Sequence, residues 1–215
     1  MRILSLSFLS FLSLVACHVD AQLSIKSMHP DAATRDTKAT ESEIIVTAYK
    51  SVPRHILLVG DSEAGRVSWR VKDVKESDDV VHVVYKGGTT IQQWGAGGLF
   101  NAALTKYPSD DTVVIFLGTN DYSKTTTPDV APILRQVTAA HMNCVWVGPT
   151  SVHEKSWSVN DLIEAAVSST CTYFNTEKMD IKLEDHVHPN YDNAGKWLGM
   201  VWLMIPPKFE ETTDE

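Results

Sequence analysis

Basic charge is in deficit: 19 Lys and Arg stand against 27 Asp and Glu in 215 residues, for a formal net charge of -8. Without a cationic surplus little is available to neutralise a phosphate backbone, so nucleic acid is not an expected partner. No uninterrupted apolar run reaches the roughly 20 residues that a membrane-crossing helix needs, which excludes a multi-span membrane protein. Glycine and proline, at 11 and 9, are too few for collagen or low-complexity disorder. Neither Gly-x-x-x-x-Gly-Lys nor a Gly-x-Gly-x-x-Gly after the first strand-like run is present, so no nucleotide cofactor is expected. Cysteine is sparse, at three, but a chain of this length buries about two thirds or more of its unfolded surface without staples.

What is present begins with an apolar start. Met1 and Arg2 precede residues 3–16, apolar apart from serines, the pattern of a short charged region and an export-signal core. Leu14-Val15-Ala16-Cys17 resembles a bacterial lipobox, whose cysteine is lipidated and becomes the mature N-terminus. Val19-Asp20-Ala21 also fits ordinary signal cleavage before Gln22, and a buried structural segment is the plain alternative. The expectation is an export signal over residues 1–21 with lipidation at Cys17. The product would be a cell-envelope lipoprotein touching membrane only through that anchor, with soluble secretion as the alternative. Removing Cys17 from the odd count leaves Cys144 and Cys171, each at the start of an apolar run, either paired or buried as reduced thiols. Residues 22–42 are polar and aperiodic and read as a tether, while residues 206–215 begin Pro206-Pro207, turn acidic and read as a solvated tail. The folded unit is expected over residues 43–205.

Inside it, short apolar runs alternate with segments of helical period, and no internal repeat is visible. The runs, residues 56–59, 80–85, 113–117, 144–147 and 171–174, are rich in Val, Ile or aromatics and sized for strands buried on both faces. The pattern predicts an α/β, doubly wound, flavodoxin-like three-layer sandwich around a five-stranded parallel sheet. Helix starts are marked too: Thr127-Pro128-Asp129 ahead of Val130, Ile133, Leu134 and Val137, and Ser158 with Asp161 at capping-box spacing. A last helix from near Asn190 would bury Ala194, Trp197, Leu198, Val201 and Ile205.

Ligands of such sheets bind beyond the carboxyl ends of the strands. The polar clusters fall there: Gly60-Asp61-Ser62, Lys86-Gly87-Gly88-Thr89, Gly118-Thr119-Asn120-Asp121, and Asp185-His186-Val187-His188-Pro189-Asn190 before the last helix. Together they hold the parts for attack on an acyl ester. A neutral serine hydroxyl needs a base to take its proton. Histidine is that base near neutral pH, and a carboxylate orients it. Ser62 sits on a turn after a buried strand, and Asp185 and His188, three apart, supply the other two roles locally. The amides of Ser62 and Gly87 with the side-chain NH2 of Asn120 offer three donors to an oxyanion.

In this order the four blocks resemble the SGNH (GDSL-type) hydrolase family: Gly-Asp-Ser, a glycine after strand two, Gly-x-Asn-Asp after strand three and Asp-x-x-His-Pro, over residues 56–205. The resemblance implies a serine esterase with Ser62 as nucleophile, His188 as base, Asp185 as orienter, and Ser62, Gly87 and Asn120 around the oxyanion. Gly87 is preferred to Gly88 because Gly88-Thr89 match the small residue and threonine that follow the family's glycine. Two positions depart from the pattern. Glu63 stands where leucine is usual, a carboxylate that would disfavour anionic substrates or raise a local pKa, and the next glycine is displaced to Gly65, so the first turn is expected to differ in shape.

Plainer readings stand beside these. Ser62 alone reads as a helix cap, Asp61 as a turn residue, Asn120 as a turn residue tolerating left-handed backbone, and Asp121 as structural. His186 competes with His188. Asp185, His186 and His188 are also metal-ligand types, but no further His/Cys cluster completes a site, so neither metal nor cofactor is expected. Gln92, Gln93, Trp94, His153 and Trp157 lie near the crevice and are candidate substrate contacts, with ordinary packing the other reading for Trp157. The expected substrate is a small-molecule or carbohydrate ester with a short acyl group, acetyl foremost. The alternatives are an O-acyltransferase on the same triad and a non-catalytic envelope binding lipoprotein in which Glu63 spoils the chemistry. Oligomeric state is left open.

Overall fold

The computed structural model describes residues 49–121, 126–150 and 156–211; the expected signal, the tether and Cys17 lie outside them. The chain divides into two compact units. In one, β1 (Tyr49–Ser51) pairs antiparallel with β7 (Phe209–Glu211), Tyr49 opposite Glu211. The acidic end is therefore not simply a solvated tail: three of its residues satisfy backbone groups in a strand pair. The other unit, Val52–Lys208, runs past Ile205 and holds everything that follows.

Its sheet is parallel and five-stranded, in the order β3-β2-β4-β5-β6. The strands are β2 (His55–Gly60), β3 (Val80–Tyr85), β4 (Thr112–Phe116), β5 (Asn143–Val147) and β6 (Thr172–Phe174). The chain starts at β2, moves to the β3 edge and returns across to β4, so the order reverses between β2 and β4, where doubly wound sheets bind ligands. Alternating strand residues build two cores. Leu57, Val59, Val113 and Ile115 pack with Trp94, Phe100, Ile133 and Ile163 of α3 (Ile91–Trp94), α4 (Leu99–Lys106), α5 (Ala131–Ala139) and α6 (Ser156–Val167). On the other face, Ile56, Leu58, Val114 and Phe116 pack with Val67, Val71 and Trp197 of α1 (Ser62–Ser68), α2 (Val71–Val74) and α7 (Tyr191–Trp202). Phe116 and Trp197 meet edge to face, ring centres 5.2 Å apart.

Several expectations need correction. Only the three inner strands are buried throughout their apolar runs; β3 and β6 have one strand neighbour each and stay half-exposed. Helix α5 begins at Ala131, not after Thr127, with Pro132 rather than Pro128 in its first turn and Asp129 Oδ1 accepting from Ala131 N at 3.2 Å. Helix α6 begins at Ser156, so Ser158 lies inside it and does not start it. Asn190 does cap α7, but Ile205 is buried beyond the helix end. Cys144 and Cys171 form a disulfide at the amino ends of β5 and β6.

Candidate active site

Gly60 ends β2 so close to β4 that a Cβ on it would lie 2.1 Å from Phe116 O, and Asp61 N donates to that same carbonyl at 3.1 Å. Glycine here lets the chain leave the sheet in one step. Asp61 then caps α1, its Oδ1 accepting from Glu63 N at 2.9 Å, which makes Ser62 the first helical residue.

The partner segment comes from the far end of the unit. Glu184 N donates to His188 O at 2.8 Å and Leu183 bridges Pro189, closing a turn just before α7. Within it Asp185 Oδ1 accepts the N–H groups of Val187 at 3.1 Å and His188 at 2.7 Å, while Oδ2 lies 2.8 Å from His188 Nδ1. His188 Nε2 is 2.7 Å from Ser62 Oγ, across 126 positions of sequence. Hydrogen bonds from the His188 ring and backbone hold the Asp185 carboxyl well below the usual carboxylate range. An ionised Asp185 fixes the proton of neutral His188 on Nδ1 and leaves Nε2 to accept from Ser62 Oγ–H. His186 is exposed, in the left-handed region at φ 66°, and takes no part in this line.

Gly87 lies beside the serine: a Cβ on it would be 3.7 Å from Ser62 Cβ, whereas Gly88, at φ 71°, faces nothing within 4 Å. Among the described residues, the amides of Ser62 and Gly87 meet no acceptor. Asn120 differs from expectation. Its Nδ2 donates to Thr89 O at 3.0 Å and Asp61 Oδ2 at 3.2 Å, so both amide hydrogens already have acceptors.

Beneath Ser62 lie buried carboxyls. Asp61 is fully buried, and burial, with the neighbouring Glu63, pushes its carboxyl well up. Glu63 is 1% exposed; its side chain turns inward, where Oε1 accepts from the Thr150 hydroxyl. Burial pushes it up to about 7, against the pull of the Thr150 hydrogen bond. A carboxyl so buried does not face a substrate, which removes the expected repulsion of anionic substrates. Gly65 is explained by packing: a Cβ there would come 2.7 Å from the Tyr85 ring.

The expected substrate contacts fare less well. Gln93 is spent on the capping box of α3, its Oε1 accepting from Thr90 N at 2.9 Å. Trp94 is 1% exposed and donates to Thr89 Oγ1 at 2.8 Å, which makes it a core residue. Gln92 is exposed on α3, while His153 and the side chain of Trp157 lie outside the described residues. Thr150 was missed, although it follows a strand at the sheet end where the other blocks gather, and Thr89 was read only as part of the glycine block. Asp121 is structural, accepting from Ile91 N at 3.0 Å to start α3.

The backbone superposes on solved hydrolases. A lipase/acylhydrolase from Enterococcus faecalis is 16% identical with a TM-score of 0.51, over 69% of this chain and 92% of its own. The acetyl xylan esterase AlAXEase is 16% identical with a TM-score of 0.54, over 70% and 100%. A lipolytic protein assigned to the G-D-S-L family, from Desulfitobacterium hafniense DCB-2, is 12% identical with a TM-score of 0.52, over 68% and 98%. This chain has the fold of those hydrolases. No family model matches it, and no curated protein matches it in sequence. The likeness is one of backbone, and the chemistry rests on the residues at the sheet end.

Proposed function

We propose that this chain is a serine ester hydrolase working through an acyl-enzyme, with the unit Val52–Lys208 as its catalytic domain. The observation that carries the reading is the line of contacts from Asp185 through His188 to Ser62, at 2.8 and 2.7 Å. In the first half, His188 Nε2 takes the Ser62 proton as Oγ bonds to the acyl carbon. The carbonyl oxygen becomes an oxyanion, held by the amides of Ser62 and Gly87 and by the Asn120 carboxamide once it yields Asp61. Collapse breaks the ester C–O bond, and His188 returns the proton to the departing alcohol. In the second half water attacks the acyl-enzyme, gives its proton to His188 and releases the acid and free Ser62. The preferred substrate is a short acyl ester, acetyl on carbohydrate foremost; a neighbour in fold is named an acetyl xylan esterase. Export and lipidation at Cys17 belong to the same proposal.

The test is turnover of p-nitrophenyl acetate, with Ser62→Ala expected to lose at least about 10³-fold in kcat. Equal turnover by that variant overturns the reading. Acetylated oligosaccharides offered with and without acceptor sugars then separate hydrolysis from transfer. Loss of fatty-acid labelling in Cys17→Ala checks the anchor.

A further inference from the structure

Thr150, three residues after β5, has one hydroxyl proton and two acceptors in reach. One is Glu63 Oε1; the other is Val187 O, at 3.2 Å. Val187 belongs to the turn that carries Asp185 and His188, and its own N–H is held by Asp185. An ionised Glu63 takes the Thr150 proton, because a carboxylate only accepts and charge-assisted bonds are the stronger ones. The Val187 carbonyl then goes without it. A protonated Glu63 instead donates to Thr150 Oγ, and Thr150 passes its own proton to Val187. The two states differ by one hydrogen bond on the turn that holds the base.

We propose that Glu63 is a positioning residue: as the neutral acid it completes a chain of donors, Glu63 to Thr150 to Val187, that seats the turn bearing Asp185 and His188 against Ser62. This rests on the esterase reading of the same site. Burial favours its neutral form, against the pull of hydrogen bonds from Thr150 and Thr119 and of the nearby His188. From its own turn the buried Asp61 faces it, with Asp121 behind Asp61 from the segment after β4; from the turn before α7 come His188 and, beyond it, Asp185. Arg66, on the same helix, is engaged by Glu184 at 3.1 Å. Burial in that company keeps the proton on Glu63 up to about pH 7. The turn is therefore seated below neutrality and loosened above it.

Glutamine distinguishes this role from a need for charge, since its amide donates to Thr150 at every pH. The experiment measures kcat and KM for p-nitrophenyl acetate between pH 5 and 9 in wild type, Glu63→Gln, Glu63→Leu and Thr150→Val. Wild type is expected to lose kcat above about pH 7 as Glu63 ionises, and Glu63→Gln to hold its kcat there. Glu63→Leu and Thr150→Val should fall about tenfold in kcat with little change in KM, the loss of one hydrogen bond. If Glu63→Gln instead falls with Glu63→Leu at all pH values, or wild type and Glu63→Gln have the same profile, the proposal is overturned. A second readout needs no turnover: the carbonyl 13C resonance of Val187 in Ser62→Ala should titrate near pH 7 and stop titrating when Glu63→Gln is added. A protein without esterase activity in which that resonance titrates as expected loses the esterase reading and keeps the proton relay. An activity dependent on Ser62 with a Val187 resonance indifferent to Glu63 loses the relay and keeps the esterase.

Discussion

Asp185 grips His188 twice, its Oδ1 on the backbone N–H at 2.7 Å and its Oδ2 on the ring Nδ1 at 2.8 Å. Peptide and imidazole are thus fixed by a single carboxylate, and that carboxylate is half-exposed, so the grip depends on hydrogen bonds more than on packing. Asp185→Asn leaves one oxygen to accept but puts a donor amide where an acceptor is needed. The expected result is a fall in kcat of about 10² to 10⁴-fold with unchanged circular dichroism, the cost of the wrong tautomer.

In the proposed mechanism Asn120 serves the oxyanion. From the segment after β4 its carboxamide reaches Asp61, after β2, and Thr89, after β3, next to Ser62. Asn120→Ala removes a donor worth about 10² to 10³-fold in kcat, with KM changed far less, because the oxyanion exists only along the reaction path. Steady-state kinetics that showed the loss in KM alone would assign Asn120 to ground-state binding.

Glu63 also sets a pH dependence of stability. Its ordinary value is 4.5 and burial raises it to about 7. Between those values the unfolded chain has released the proton and the folded chain has kept it, so stability falls as pH rises through this window and is level above it. The linkage amounts to about 3 kcal/mol for a fully buried group. Glu63→Gln has no such slope. Thermal melts should show the variant gaining on wild type from pH 5 to pH 7, by up to about 5 to 10 °C, with no further gain at pH 8.

The disulfide should matter to stability and not to chemistry. Cys144 and Cys171 are 27 positions apart and lie at the opposite end of the sheet from Ser62. Closing a loop of that length limits the unfolded chain by about 3 to 4 kcal/mol. Replacing both cysteines with serine should lower the melting temperature by about 10 °C and leave kcat at 25 °C unchanged.

The sheet was legible because its inner strands are continuous apolar runs with polar blocks at their carboxyl ends, and the contact of Asp185 with His188 was legible because the two lie three positions apart. The edges were not, since Val80 to Tyr85 reads as apolar as β2 while only a neighbour strand distinguishes an edge from a centre. Trp94 and Gln93 were misjudged for a related reason: position near the crevice does not say which way a side chain turns, and one turned to the core while the other turned to a cap. The inward turn of Glu63 was equally hidden. It depends on Thr150, a residue 87 positions away with no motif around it.

The pairing of Tyr49–Ser51 with Phe209–Glu211 brings the residues just before the sheet unit side by side with those just after it, Tyr49 across from Glu211. Such ends can be stitched by a few residues and new ones opened in a surface loop. A circular permutant joined there would carry fusion partners on a rim of choice.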